Sequence, residues 1–526
     1  MTQGRQAYLI GGGIGALASA AHLIRDGGWR GSDIHVLEAA AINGGAMDGS
    51  GNADEGYIVR GGRMFNFSYG CTYELLGFIP SLTDPSRTVL QEFQDFNELN
   101  KTEARARLVR GGAIVTDVDR MGFSARDRID LLHIAGQSEA SLGKKRIDEC
   151  FAPAFFSSNF WLMWCTMFAF QPWHSAVEFK RYLHRFVHEF PRIHTLAGVD
   201  RSPLNQYDSV ILPIETWLRG QGVQFHGSTV VEDIAFKPQR PGAAREITAE
   251  RLYLIEASGP RTVVLGEGDL VFMTNGSMTA AASIGSHEQA PPLRSAKTPE
   301  WALWEKIARN RRDFGNPSAF ADHVDESFWE SFTVTCRSPL LLKLIEDFSG
   351  NPPGTGALMT FADSNWLMSI VVAKQPHFAN QPAEVQVFWG YALFPDRPGN
   401  FVAKPMSECS GAEILQELLG HLRLRAHEAE LMQHCRCVPV KLPYITAEFL
   451  LRDHSDRPAV VPTGSTNFAF VSQFCEQADD VVFTVEYSVR AAQTAVYQLL
   501  GLNKQPRPVY KASTAELAEA LKTLLS

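Results

Sequence analysis

The first forty residues constrain the fold of this chain more than any other stretch. Ala7-Tyr8-Leu9-Ile10 reads as an apolar strand, Gly11-Gly12-Gly13-Ile14-Gly15-Ala16 as a glycine turn opening into a helix, and Asp33-Ile34-His35-Val36-Leu37-Glu38 as a second strand closing on an acid. That order and spacing is the dinucleotide-binding βαβ unit. Gly11 permits the tight turn, Gly13 lets backbone approach a pyrophosphate, and Ala16 lets the helix pack close on the sheet. The helix start offers free N–H groups and a positive dipole end to phosphates. Glu38 is placed to accept from a ribose 2′-OH, which disfavours a 2′-phosphate and therefore NADP. On this motif alone FAD and NAD both stay open.

Composition narrows the rest. A chain of 526 residues can hold two or three domains. A net charge of −9 argues against a nucleic-acid binder, which needs a basic surface. Met1 to Gln6 run straight into the first strand without a basic n-region and cleavage site, so no signal peptide is expected. No uninterrupted transmembrane-length segment is read. The eight cysteines are scattered, and Cys435 and Cys437 have neither redox nor zinc-knuckle spacing. The expectation is a reduced, cytoplasmic protein without metal.

The dinucleotide fold reads as discontinuous. Glycine-rich turns at Asn43–Gly49 and Arg60–Arg63 lie close after the first unit. Gly227–Ile234 is expected to add a strand to this domain, and Leu270–Met273 a buried strand ending in the polar turn Thr274-Asn275-Gly276-Ser277. Asn467–Val471 reads as a late strand and Phe483–Leu500 as a long helix stopped by Gly501. A late strand feeding a long helix favours FAD over NAD. Between these parts, Phe155 to Trp173 is dense in aromatics, and Phe179, Tyr182, Leu183, Phe186, Val187 and Phe190 recur at helical spacing. A domain core and a long apolar tunnel are both consistent with that density. In the tail, Ser513 and Glu516 have capping-box spacing before Leu517, Leu521, Leu524 and Leu525, a face that docks on its own protein or lies on a membrane surface.

Several segments together resemble the oleate hydratases, the FAD-dependent fatty acid hydratases also called myosin-cross-reactive antigens. They include His22-Leu23-Ile24-Arg25-Asp26-Gly27, Arg60-Gly61-Gly62-Arg63, Ser158-Asn159-Phe160-Trp161 and Met167 through Ala176. Further on they include Asn205-Gln206-Tyr207, Thr274-Asn275-Gly276-Ser277, Asp363-Ser364-Asn365-Trp366, Gln375-Pro376-His377-Phe378 and Phe483 through Ser488, in family order over nearly the whole chain. The resemblance implies an α/β protein: a discontinuous Rossmann-like FAD-binding domain (1–85, 206–290 and 440–505), an inserted α+β substrate domain (86–205 and 291–439) and a C-terminal helical tail (506–526). It implies hydration of the cis-9 double bond of oleic acid and related unsaturated fatty acids to 10-hydroxy acids, with FAD required but no net redox change.

The resemblance also assigns residues. Tyr182 matches the family's proton donor. The family's water-activating glutamate follows the Arg-Gly-Gly-Arg loop, and here that position is Met64, which can neither take a proton nor hold a charge. Asp48 and Glu74 are the sequence-near carboxylates that could substitute. Oriented water with backbone carbonyls is a second explanation, and weak catalysis or another substrate is the third. Gln206 and His377 match head-group positions, while two further polar family positions are Val371 and Ala373. For FAD the matches are Gly11, Gly13, Gly15, Glu38, Gly44, Gly45, Arg63, Asn275 and Thr484, with Ala46 in place of a serine. Compared with many members, the chain lacks an N-terminal dimer arm and the long basic C-terminal helices. The expectation is therefore a monomer with at most weak peripheral membrane contact, a dimer staying open. Two other readings are carried: a flavin oxidoreductase of desaturase or amine-oxidase type, and a non-catalytic flavin-dependent fatty-acid-binding protein.

Overall fold

The computed structural model describes residues 4–238, 245–292 and 297–525. Its organising layer is a five-stranded, all-parallel sheet. The strand β1 (Ala7–Ile10) lies at its centre, followed by the helix α1 (Ile14–Arg25) and the strand β2 (Ile34–Leu37). The order across the sheet is Phe468–Phe470, Leu270–Met273, β1, β2, Gln224–His226. Two of the five strands thus return from distant parts of the chain to one side of β1. Parallel strands buried on both faces read as continuous apolar runs, as Leu270–Met273 does.

The α1 helix is built almost wholly of small and aliphatic residues, and Ile14 through Leu23 are all buried. It packs against the helix Val485–Leu499. That late helix begins two residues after its expected start, because Phe483 has a left-handed φ of 69° and Thr484 is the N-cap, accepting from the Tyr487 amide. The strand expected over Gly227–Ile234 forms, in a separate layer from the parallel sheet. Val230–Phe236 forms an antiparallel three-stranded sheet with Ala249–Glu256 and Gly259–Val264, while the preceding Gln224–His226 supplies the fifth parallel strand. The alternating burial of Val230–Phe236 is that of a sheet with one wet face.

A second, eight-stranded mixed sheet carries the other half of the molecule. Its central strands are Trp329–Cys336, Gln386–Ala392 and Cys435–Leu442, and its far edge is Leu108–Arg110 with Ala113–Ile114. Ser283–Ile284 pairs onto Cys435–Leu442 at the other edge. A hairpin, Ser50–Asn52 with Gly56–Ile58, links the halves: the Tyr57 and Val59 amides donate to the Thr335 and Thr333 hydroxyls at 2.9 and 3.1 Å.

The aromatic region divides by residue. Phe151, Phe155, Phe160 and Trp161 stack into a closed core, with Phe151 and Phe155 centroids 4.0 Å apart. The helix Ala176–Arg185, capped by Ser175, buries Phe179, Tyr182 and Leu183 on one side. Its charged side is buried too, because Arg181 pairs with Glu139 and Glu476, and Glu178 with Arg452 and Arg457. The tail helix Thr514–Leu525 has the Ser513–Glu516 capping box and docks through Ala520 and Leu524, whereas Leu517, Leu521 and Leu525 stay exposed. Among the described residues, no helix is long and apolar enough to cross a membrane.

Candidate active site

Three adjoining cavities run from the parallel sheet into the aromatic layer, and Arg63 lines all three. The first is a cleft over the carboxyl ends of the parallel strands, where open α/β sheets bind ligands. Gly11, Gly13, Gly15, Glu38, Gly44, Gly45, Arg63 and Thr484 all line it. The glycines have separate reasons. A Cβ on Gly15 would lie 2.3 Å from the Val471 carbonyl oxygen, so helix–sheet packing requires glycine there. A Cβ on Gly13 would come no closer than 3.9 Å to any protein atom, at Gly45 Cα, and would instead occupy the space in front of the helix start. The α1 helix has no side-chain cap and no acid in its first turn, so its first amides face the cleft unneutralised. Gly44, at φ 121°, donates its amide to the Gly12 carbonyl at 2.9 Å and seals the floor.

Glu38 accepts from the Gly12 amide at 2.5 Å and the Ala40 amide at 2.7 Å, which fixes its carboxylate at the cleft rim with lone pairs to spare. Burial raises its pKa against the lowering effect of those two amides. An open dipole end, a cradle that a methyl group would fill and a held acid at the second strand together fit the adenosine diphosphate half of a dinucleotide. Asn275 stands apart from this group. It is fully buried, donates to the Phe474 carbonyl at 3.1 Å and accepts from Ser472 Oγ at 2.8 Å. Its neighbours Thr274, Gly276 and Ser277 line the cleft instead. Asn275 ties the end of its strand to the turn that follows the neighbouring strand Phe468–Phe470.

The second cavity is aromatic. Met64, Tyr182, Trp329, Trp389, Phe168 and Phe483 are among its walls. Tyr182 is fully buried, with the Phe168 and Phe170 rings both 5.0 Å from its own. Its hydroxyl donates to the Val482 carbonyl at 2.6 Å. Burial, reinforced by Tyr69 and Glu448, raises its pKa well above the ordinary phenol value, so it is protonated at any physiological pH. The indole N–H groups of Trp164, Trp329 and Trp389, three residues of its wall, are buried without a protein partner.

Neither carboxylate near Met64 in sequence reaches the aromatic cavity. Asp48 is held by Arg60 at 2.9 Å on the wall of the first cleft, and Glu74 pairs with Arg25 and Arg507. The carboxylate that does line it, Glu189, is bound by Arg192 and Asn66, and hydrogen bonds from His188 and Arg192 overcome burial to hold its pKa near about 2. It is a poor base. Glu448, which sequence reasoning passed over, is fully buried with both oxygens unpartnered, and burial raises it to about 8 despite Arg457 and Arg63.

The third cavity is smaller and sets polar and charged side chains among apolar ones. Met64, Gln206, His377, Val371 and Ala373 line it with Arg201. Gln206 donates to the Gly61 carbonyl at 2.9 Å, so one face of its amide is committed to the Arg60–Arg63 loop. Burial, with Arg201 adding to it, lowers His377 to about 4, which leaves a neutral imidazole at physiological pH. Met64 stands where the second and third cavities meet, and the structure thus gathers Tyr182, Met64, Gln206, His377 and Arg63 along one path.

Comparison with known proteins follows the same outline. The model of the MCRA family matches residues 4–497. An oleate hydratase of Streptococcus pyogenes serotype M49 (strain NZ131) is 36% identical over 506 residues, covering 94% of this chain and 85% of that protein. A linoleate hydratase of Lactiplantibacillus plantarum is 35% identical over 565 residues, covering 99% and 98%. Among solved structures, a putrescine oxidase aligns with TM-score 0.53 at 12% identity, over 94% of this chain and 99% of that one. Cyclohexylamine oxidase from Brevibacterium oxydans IH-35A aligns with TM-score 0.52 at 12% identity, over 95% and 99%. At such identities the likeness establishes the fold alone.

Proposed function

The chain belongs to the MCRA family, and from that premise we propose that it is a fatty acid hydratase: it adds water across the cis-9 double bond of oleic acid and related unsaturated acids, giving 10-hydroxy acids. The observation that carries this reading is the path described above. A pocket with Gln206, His377 and Arg201 in its wall opens at Met64 into an aromatic cavity holding a buried phenol, and both adjoin a dinucleotide cleft through Arg63. An amphiphile with one polar end and a long apolar body fits that sequence of environments.

In this reading Gln206 and His377 hold the carboxyl end. The aromatic walls hold the chain straight past Met64. Tyr182 Oη delivers its proton to C9, the C9–C10 π electrons form the new C–H bond, and water attacks the electron-deficient C10. Loss of a water proton then restores the phenol, so H and OH are added and nothing is oxidised. A phenol is a weak acid for an alkene, so positioning must do much of the work. Water attacking a cation-like carbon needs little base, which suits a site with Met64 where a carboxylate could stand. FAD is the cofactor we assign to the first cleft. When bound it would close one wall of the site and supply electrostatic shaping, and Gly11, Gly13, Gly15, Glu38, Gly44, Gly45, Arg63 and Thr484 are the residues that would hold it.

The fold shared with amine oxidases favours a second reading, a flavin oxidoreductase. One experiment separates them. Purified protein with reduced FAD and oleic acid is incubated without oxygen, beside a Tyr182→Phe variant, and the products are read by mass spectrometry. The hydratase reading requires a product heavier by one water in the wild type and none in the variant. In the same anaerobic incubation repeated with oxidised FAD, substrate-dependent bleaching of the flavin, with no hydroxy acid formed, would sink it in favour of the oxidoreductase.

A further inference from the structure

Arg201 is a buried guanidinium with no counter-ion. It is 7% exposed, its Nε and Nη2 have no hydrogen-bond partner, and no carboxylate among the described residues pairs with it. Burial alone lowers its pKa, to about 10, so it stays charged. An unpaired charge in such a place is costly unless something supplies the opposite sign. The third cavity, which Arg201 lines with Met64, Gln206 and His377, is where that charge would arrive.

The backbone holds this guanidinium in register with the site. Phe65 and Asp200 exchange two backbone hydrogen bonds of 2.9 Å as an isolated antiparallel bridge, which sets Met64 and Arg201 side by side across the two segments. Asn97 clamps Arg201 on both sides, accepting from its amide at 2.7 Å and donating to its carbonyl at 2.8 Å. The two orphaned nitrogens also have a meaning in this molecule. Arg181 on Glu139 and Arg192 on Glu189 both use Nε and Nη2 as a fork for a carboxylate. At Arg201 the same two nitrogens are buried without a partner.

We propose that Arg201 is the counter-ion for the fatty acid carboxylate, and that this charge makes the site select ionised free acids over neutral lipids with the same chain. The inference rests on the fatty acid reading of the site and adds to it the residue that reads the head-group charge. It also explains how the pocket works with Val371 and Ala373 in its wall. A neutral His377 offers a hydrogen bond but no charge, the Gln206 amide nitrogen is already shared between the Gly61 and Asp48 carbonyls, and the Arg201 guanidinium supplies both charge and donors alongside the Arg63 and Lys374 side chains that also line the cavity.

The test compares wild type, Arg201→Met and Arg201→Lys, each flavin-loaded, in binding oleate and oleyl alcohol, followed by quenching of tryptophan fluorescence. Wild type should prefer the acid. Arg201→Met should weaken oleate binding by about 30-fold or more and shift the alcohol by less than about 3-fold. Arg201→Lys, which keeps the charge and loses the fork, should fall between. The ligand-free Arg201→Met protein should melt no lower than wild type, because it loses an unpaired buried charge rather than a structural ion pair. The proposal is overturned if wild type does not prefer the acid, if Arg201→Met weakens acid and alcohol alike, or if that variant melts markedly lower. A parallel hydration assay keeps the two readings distinct: acid preference that depends on Arg201, without any hydroxy acid formed, would sink the hydratase reading and leave the counter-ion role standing.

Discussion

The Tyr182 hydroxyl donates to the carbonyl of Val482, 300 residues further along the chain, at 2.6 Å. The next residue, Phe483, has a left-handed φ of 69° and lines both the dinucleotide cleft and the aromatic cavity. The proton assigned to catalysis is thus parked on the segment that divides the two cavities. Its transfer to an alkene requires that hydrogen bond to be released.

Removing this hydroxyl should separate chemistry from folding. Tyr182→Phe is expected to lower hydration by about 10²-fold or more, as for loss of a general acid. It leaves the Val482 carbonyl without its partner, a cost of about 1–3 kcal/mol. Oleate affinity should stay within about 3-fold, because the aromatic contacts of the ring persist. Turnover, thermal melting and oleate titration on one preparation check all three, and a variant that hydrates at wild-type rate removes Tyr182 from the mechanism.

The two glycines flanking Ile14 should fail in different ways. Gly15→Ala forces a Cβ to 2.3 Å from the Val471 carbonyl oxygen and should destabilise the fold by about 2 kcal/mol or more. Gly13→Ala has 3.9 Å to its nearest protein atom, so the fold should tolerate it, but its methyl group projects into the cleft. Flavin absorbance per mole of purified protein should fall sharply in Gly13→Ala while its melting temperature without added flavin stays near that of wild type.

Glu448 should make stability fall with rising pH. Its folded pKa is raised from 4.5 to about 8 by burial. Between those values the folded state holds a proton that the unfolded chain releases, so stability is greatest below the unfolded pKa and is lost as pH climbs through about 8. Glu448→Gln keeps the shape without the titration. It should therefore melt higher than wild type at pH 8.5, by an amount that shrinks towards pH 4.5, and equal gains at both pH values would refute this assignment.

A carboxylate at position 64 tests how much base the reaction needs. Met64→Glu would bring an acid to the junction of the second and third cavities beside Arg63. If water attacks a cation-like carbon, the rate should change by less than about tenfold at neutral pH, with about 1–3 kcal/mol of stability lost to burying the new group. A hundredfold gain would mean that the native site is limited by water activation.

The sequence by itself determined the parts of this protein that depend on neighbours along the chain. The glycine turn, α1 and the acid at the end of β2 follow from spacing within about thirty residues, since tight turns, helix starts and strand ends are local steric and hydrogen-bonding problems. The Ser513–Glu516 cap and the late helix were legible for the same reason. Val230–Phe236 was legible as a strand but its sheet was not, because strand patterning says which face is buried and not which strands it pairs with. Asn275 shows a similar limit: a polar residue in a glycine turn beside a ligand cleft can face the cleft or, as here, brace the turn behind it. Only the tertiary structure decided which charges are paired. Arg181 and Arg201 are both arginines in one stretch of sequence, yet one meets Glu476 and the other lines a cavity with no carboxylate partner among the described residues. That difference arises from segments brought together across hundreds of residues, and burial, not residue type, turns it into chemistry.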